Sequence, residues 1–358
     1  MAKKHNPHCP LCKGEKTIKW GSQRGLKRYW CKICRHSFSI DYRAKNEPLW
    51  IEHIDGVPLR KLGDERGLSG AQTYARVVAE MDALPDNTWL TKKYCNRFSG
   101  ILILDGKYIK ARGYKQKIPF LYGIDYLTHD PLVGVLAPGE SEEAFRKFFR
   151  LLKTVGYPLQ IVVCDDVISA LEPALLHYYP KAKIQLCQNH YLENIRQALN
   201  VRTQPNHQHF FNSLKKHVFD EYTDNRRLNR ALHHVLTKRA KNDVQRQMIV
   251  MDIHRRRKYL FAYIQIPHCP NNTNLNELYN SHLNGRLKTI KGFKSFHAAE
   301  RWLNAYLIRR RTKPFTDCGE KFKKLNGYCS LQLTLKKQAK WPDILGVKTP
   351  KNQLETER

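Results

Sequence analysis

Two stretches decide the fold: Ile101-Leu-Ile-Leu-Asp105 and, further along, Leu159-Gln-Ile-Val-Val-Cys-Asp165-Asp166. Each is a short apolar run that ends on a carboxylate. Runs of this length and composition read as buried strands. An ionised Asp beside such a strand is costly unless its charge is compensated. Placed at the ends of adjacent strands, Asp105 and Asp165 can meet and share divalent cations. Hard Mg²⁺, or Mn²⁺, prefers oxygen ligands and keeps positions open for water and phosphate. Two such ions about 3.5–4 Å apart can activate an attacking oxygen and stabilise a leaving one.

The flanking sequence supplies the rest of a sheet. Phe120-Leu-Tyr-Gly-Ile-Asp-Tyr126 and Leu132-Val-Gly-Val-Leu136 are separated by a His129-Asp-Pro turn and read as an antiparallel meander. A helix over about 141–155 carries Phe145, Phe148, Phe149 and Leu152 on one side. A helix over 167–178, a strand Lys183-Ile-Gln-Leu-Cys187 and a helix through Leu199 follow. Three strands, helix, strand, helix, strand, helix is the order of an RNase H-like α/β core, expected over residues 98–199.

A third acid is sought farther on. Thr273-Asn-Leu-Asn-Glu277-Leu-Tyr-Asn280 opens a helix with Leu275, Leu278, Leu283 and Leu287 as its apolar stripe. Glu277 is the only acidic residue between Asp252 and Glu300. That isolation suits a metal ligand, although a first-turn Glu also complements a helix dipole. Residues 271–312 are expected to complete the core, with Ala298, Leu303, Tyr306 and Leu307 on one side of the last helix and Arg309-Arg-Arg311 keeping it basic.

The chain has 358 residues, 63 Lys and Arg against 32 Asp and Glu, and a formal net charge of +31. That excess calls for an anionic partner, and a phosphate backbone is the obvious one. It is unevenly spread: residues 1–45, 200–262 and 283–351 carry net +10, +9 and +13, whereas 46–98 and 99–199 carry −1 and +2. With 41% apolar residues the chain can build a real core. No run of 18 apolar residues is present, which excludes a membrane-spanning helix. Met1-Ala-Lys-Lys-His lacks the apolar stretch of a signal peptide, so an intracellular protein is expected.

Cys9-x2-Cys12 and Cys31-x2-Cys34 lie 18 residues apart. Each pair puts two thiolates on one tight turn, and two such turns make a tetrahedral sulfur site for a structural Zn²⁺. With strand-like Thr17–Trp20 and Arg28–Trp30 between them, residues 1–42 read as a zinc ribbon, a surface for DNA or for protein. Residues 46–84 read as a helix-turn-helix. Trp50, Ile51 and Ile54 mark one helix, Leu59 and Leu62 a second that breaks at Gly67, and Ser69 caps a third with Ala71, Tyr74, Val78 and Met81 inward. Gln72, Thr73 and Arg76 would then face outward toward base edges. A plain three-helix packing unit is the alternative.

Residues 200–270 read as a helical insertion with basic clusters, among them Arg255, Arg256, Arg257 and Lys258. They suit phosphate contact, or a solvated bundle surface. From 313 to 358 the pattern is thin, a basic C-terminal region whose tail after Lys348 reads as disordered. The whole is an α+β multidomain chain.

Leu104-Asp105-Gly-Lys, Val163-Cys-Asp165, Cys187-x2-His190-x3-Asn194 and Thr273-Asn-x2-Glu277-x2-Asn280 together resemble the bacterial insertion-sequence transposases related to Mutator-like elements, within the DDE, RNase H-like superfamily. The resemblance covers about residues 98–312. It implies that Asp105, Asp165 and Glu277 form the catalytic triad, separated by 60 and 112 residues. It implies a Cys-x2-His signature in Cys187 and His190, which could touch DNA, organise the active site or bind metal. Where the family usually has Gly, this chain has Asp166; Asp165, which directly ends the strand, is taken as the ligand. The expected function is Mg-dependent cleavage and strand transfer at the element's terminal inverted repeats. A homodimer or higher assembly on double-stranded DNA, in the cytoplasm at the nucleoid, would carry it out. A non-catalytic regulator and a nuclease without strand transfer are the rivals.

Overall fold

The computed structural model describes residues 6–23, 26–40, 48–220 and 224–350. The end of the expected ribbon at residues 41–42 and the tail from 351 onward lie outside them. The chain divides into two compact units, one of residues up to Pro85 with Asp343–Lys348, the other from Asp86 to Pro342.

In the first unit, β1 (Thr17–Gln23), β2 (Leu26–Cys31) and β3 (Ser37–Ile40) form an antiparallel sheet in that order. Its small core is Cys9, Tyr29, Cys31 and Phe38, with the Tyr29 and Phe38 rings stacked at 5.8 Å. Three helices follow: α1 (Leu49–Ile54), α2 (Leu59–Arg66) and α3 (Gly70–Asp82). Gly67 ends α2 in the left-handed region at φ 66°, where a side chain would be strained. Ser69 and Gln72 form a reciprocal capping box at the start of α3. The inward face of α3 is Thr73, Val77 and Met81, while Tyr74 is 40% exposed. This corrects the expected stripe by one position. Thr73 is fully buried because its hydroxyl donates to the Ser69 carbonyl at 2.9 Å and so needs no water. Its oxygen would lie 2.7 Å from a Cβ on Gly63, so glycine lets α2 and α3 close on each other. The indole of Trp50 donates to the Leu345 carbonyl at 3.0 Å, which ties residues 343–348 into this unit.

The second unit opens with a helix that the sequence reading missed, α4 (Asn87–Tyr94), capped by Asp86. The elements β4 (Ile101–Ile109), β5 (Ile118–Asp125), β6 (Asp130–Leu136), α5 (Glu142–Thr154), β7 (Ile161–Cys164), α6 (Ile168–Tyr178), β8 (Lys183–Leu186) and α7 (Gln188–Ala198) come in the expected sequence. They build one five-stranded sheet ordered β6-β5-β4-β7-β8, antiparallel across β6, β5 and β4 and parallel across β4, β7 and β8. Strand alternation sorts the side chains. Leu102, Leu104 and Val162 face Phe145, Phe148 and Phe149 of α5 in the larger core. Ile101, Ile103, Ile161 and Val163 face the opposite way, with Leu275 packed against them.

Helices α8 (Pro205–His217), α9 (Asn225–Arg239), α10 (Val244–Arg255) and α11 (Arg257–Leu260) form the insertion. Phe210, Leu228, Val235 and Ile253 bury into the core shared with Tyr191 and Ile195 of α7. Then come α12 (Asn274–Ile290), α13 (Phe296–Thr312) and, past a 3-10 turn at Glu320–Leu325, α14 (Ser330–Thr334). The region after 313 is therefore better organised than its sequence pattern suggests. Asp130 accepts from Arg311 Nε and Nη2 at 2.8 Å each, from Ser330 at 2.8 Å and from Thr334 at 2.6 Å. Arg311, read as part of a basic surface run, is instead fully buried, and its charge is spent on this pair.

Candidate active site

The parallel register brings Asp105 and Asp165 together. Ile103 pairs with Val163 as the last partners of β4 and β7. Two residues on, each strand presents an Asp on the same face, and neighbouring strands lie about 4.8 Å apart. Asp105 does not end its strand, as expected, but sits in its middle: β4 continues to Ile109 while paired with β5, Asp105 opposite Tyr122.

Asp105 accepts the Gly106 N–H at 2.7 Å and the side-chain amide of Asn280. Asn280 in turn accepts the Tyr122 hydroxyl at 2.8 Å. Burial, and then the charge of Asp165, push the Asp105 carboxyl up to about 6, against the pull of those two donors. Among the described residues no basic side chain forms an ion pair with it.

His190 stands between the other two acids. Its Nδ1 is 2.6 Å from Asp165 Oδ1 and its Nε2 is 3.7 Å from Glu277 Oε1. Thr273, the residue before α12, donates its backbone N–H at 3.4 Å and its hydroxyl at 3.3 Å to the Cys187 sulfur. That hydroxyl also lies 3.5 Å from Asp165. Gln188 and Asn271 exchange a side-chain hydrogen bond at 3.0 Å and a backbone one at 2.9 Å. The residues of the Cys-x2-His signature thus clasp the segment that starts the Glu277 helix. Asp165, Cys187 and His190 lie within 4.8 Å of one another at their ligand atoms, but the sulfur already serves as an acceptor for Thr273.

Glu277 is 53% exposed on α12, whose buried face is Asn276, Tyr279 and Leu283. The expected leucine stripe is shifted, and Leu278 is 53% exposed. Asp166 points elsewhere: its Oδ2 is 2.6 Å from the Arg256 guanidinium. The other basic residues expected to face phosphate are likewise engaged. Arg255 and Arg256 pair with Asp252, Arg257 donates to Asn229, and Lys258 lies 3.5 Å from Glu172. In the first unit Arg76 pairs with Glu80 at 3.0 Å and Gln72 is used in the cap, though both are exposed.

The sequence reading overlooked Glu140, just before the α5 cap Ser141. It lines a cleft of about 260 Å³ with Asp105, Tyr108, Asp165 and Asp166. Its signal was Gly106, the small residue next to Asp105. An all-oxygen set beside Asp105 is the kind that holds a hard cation such as Mg²⁺ or Mn²⁺.

The four N-terminal cysteines also converge, with all Sγ atoms within 4.8 Å and Cys9–Cys34 and Cys12–Cys31 both at 3.6 Å. A tetrahedron of Zn–S bonds near 2.3 Å has edges of about 3.8 Å, so the group fits zinc. Backbone N–H groups of Cys34 and Ile33 draw the Cys31 thiol down to about 7, favouring the thiolate that a metal needs.

A mixed sheet with carboxylates on its central strands and helices on both faces, preceded by a four-cysteine cluster, is the class of molecule these observations define. The sequence model of the family described as Transposase, Mutator family, matches residues 75–313, more than half of the chain. The chain belongs to that family. A search of the curated proteins finds no match. Among the described residues no helix is long and apolar enough to cross a membrane.

Proposed function

We propose that the protein is a DDE transposase of an insertion sequence, built on an RNase H-like core, that cuts DNA at the element's ends and joins them to a target. What supports this reading is that strand register sets Asp105 beside Asp165, and that His190 lies 2.6 Å from Asp165 and 3.7 Å from Glu277. A pair of Mg²⁺ ions, when bound, supplies an activated oxygen and charge stabilisation at phosphorus. Asp105, Asp165 and Glu277 would hold them. Asn280 and the Gly106 N–H fix the Asp105 carboxylate, and Cys187 with Thr273 fixes the start of α12. The bond from phosphorus to the 3′ oxygen breaks as water attacks, and the freed 3′ hydroxyl then displaces a target oxygen by the same in-line route. Zinc held by Cys9, Cys12, Cys31 and Cys34 would fold a ribbon that, with α1–α3 as a helix-turn-helix, recognises the terminal repeats. Two ends held together imply a dimer or larger assembly on DNA.

A labelled element-end duplex with Mg²⁺ or Mn²⁺ tests the reading. Nicking followed by joining is the expected result. Nicking alone leaves a nuclease, and binding without nicking leaves a regulator. Asp105→Ala and Glu277→Ala should abolish cutting and spare end binding; full activity in either removes the assignment.

A further inference from the structure

Asp105, in the middle of the central strand β4, lies beside Asp165, just past the end of β7, and the two faces of the sheet deliver different groups to them. Glu277 comes from α12, beside the face of Ile103 and Val163. Glu140 comes from the other face, at the start of α5 above Leu104 and Leu121. We propose that Glu140 is a fourth carboxylate ligand for the divalent cations, sharing them with Asp105 and Asp165 across the cleft from which Glu277 is absent. This rests on the cation reading of the proposed function.

Gly106 gives the independent observation. A Cβ built there would lie 2.1 Å from Glu140 Oε1, closer than real atoms come. Gly106 is not among the glycines with positive φ, so its backbone would accept alanine. With no Cβ at Gly106, the Glu140 carboxylate fills that space beside Asp105. The helix does not need Glu140 there. Ser141 already caps α5, and Glu142 and Glu143 supply its first-turn acids. Asp105, Asp165 and Glu140 line the same cleft; among the described residues no basic side chain lines it, and an all-oxygen set of this kind suits a hard cation.

The test is calorimetric titration of Mn²⁺ alone into the full-length, zinc-loaded protein and its Glu140→Gln, Gly106→Ala and Asp165→Asn variants. The wild type should take up two ions. Glu140→Gln and Gly106→Ala should each weaken one of the two at least tenfold and leave the other unchanged; Gly106→Ala does so without altering any ligand. Asp165→Asn should lose both. Wild-type uptake of two ions that neither Glu140→Gln nor Gly106→Ala alters overturns the role of Glu140 alone. No uptake by the wild type overturns the cation reading itself.

Discussion

Cys187 accepts two hydrogen bonds from Thr273, one from its backbone N–H and one from its hydroxyl. The sulfur is 2% exposed and joins the end of β8 to the start of α12, 86 residues further along the chain. Glu277 lies in the first turn of that helix. Replacing Cys187 by Val leaves the Thr273 N–H unpaired and its hydroxyl with only Asp165 at 3.5 Å, a loss of about 1–3 kcal/mol, and lets the helix start drift. Cleavage should fall about tenfold or more, because misplacing a reacting group by about 1 Å costs about a hundredfold in rate. End binding should be unchanged. Cys187→Ser, which keeps an acceptor, should restore most of the cleavage rate. Equal activity in Val and Ser variants would show that the clasp does not position Glu277.

The raised Asp105 carboxyl sets a pH dependence. Its ordinary value is 3.8 and its value in the fold is about 6. A raised carboxyl is penalised when ionised in the folded state, so the penalty is absent below the ordinary value and complete above the raised one. Asp105→Asn removes it. In metal-free protein the variant's Tm, relative to wild type, should therefore rise by a few degrees between about pH 4 and about pH 7.5. Adding Mg²⁺ at the higher pH should favour the wild type instead, by ligand linkage. A Tm difference that stays flat with pH would remove the burial argument.

Asp165 and Asp166 are adjacent and both line the cleft, but only Asp165 meets His190. Asp166 is held by Arg256, which also pairs with Asp252. Asp165→Asn should abolish metal-dependent nicking. Asp166→Asn should keep it within about tenfold, with a stability loss of about 1 kcal/mol as its partly exposed ion pair is broken. The reverse ranking in a nicking assay would move the ligand to Asp166.

How far the sequence carries depends on whether a residue's reason is local. Ile101–Leu104 and Ile161–Cys164 are apolar enough to announce strands, and their Asp residues follow at once. The four apolar positions of α5 are all buried as the helical period requires. The cysteine pairs need only their spacing. The failures have distant causes. The polar half of β4, Gly106 to Ile109, is a strand because Ile118–Leu121 pairs with it. Thr73 is inside because Gly63 makes room for it. Tyr279 displaces Leu278 from the core because its hydroxyl donates at 2.6 Å to the His129 carbonyl, 150 residues away. Glu140 looks like one acid in a Glu-rich helix start until β4 is laid beside it.

Arg311 shows most plainly how a local reading misleads. In a run of three arginines it reads as one more basic side chain of the last helix, yet both it and Asp130 are fully buried, and Nη1 donates further to Asn87 at 3.0 Å and Thr91 at 2.7 Å. The pair binds α13, α4, β6 and α14 to one another. Removing one member leaves an uncompensated buried charge, which costs about 3–5 kcal/mol. Arg311→Met should therefore lower unfolding stability by that amount in urea titration, whereas Lys288→Ala on the exposed side of α12 should stay within about 0.5 kcal/mol. The double variant Asp130→Asn with Arg311→Met leaves no lone charge and should recover part of the loss. If the double variant is less stable than the single one by the full cost of Asp130→Asn, the two residues act independently. The network would then be a set of separate hydrogen bonds rather than a coupled ion pair.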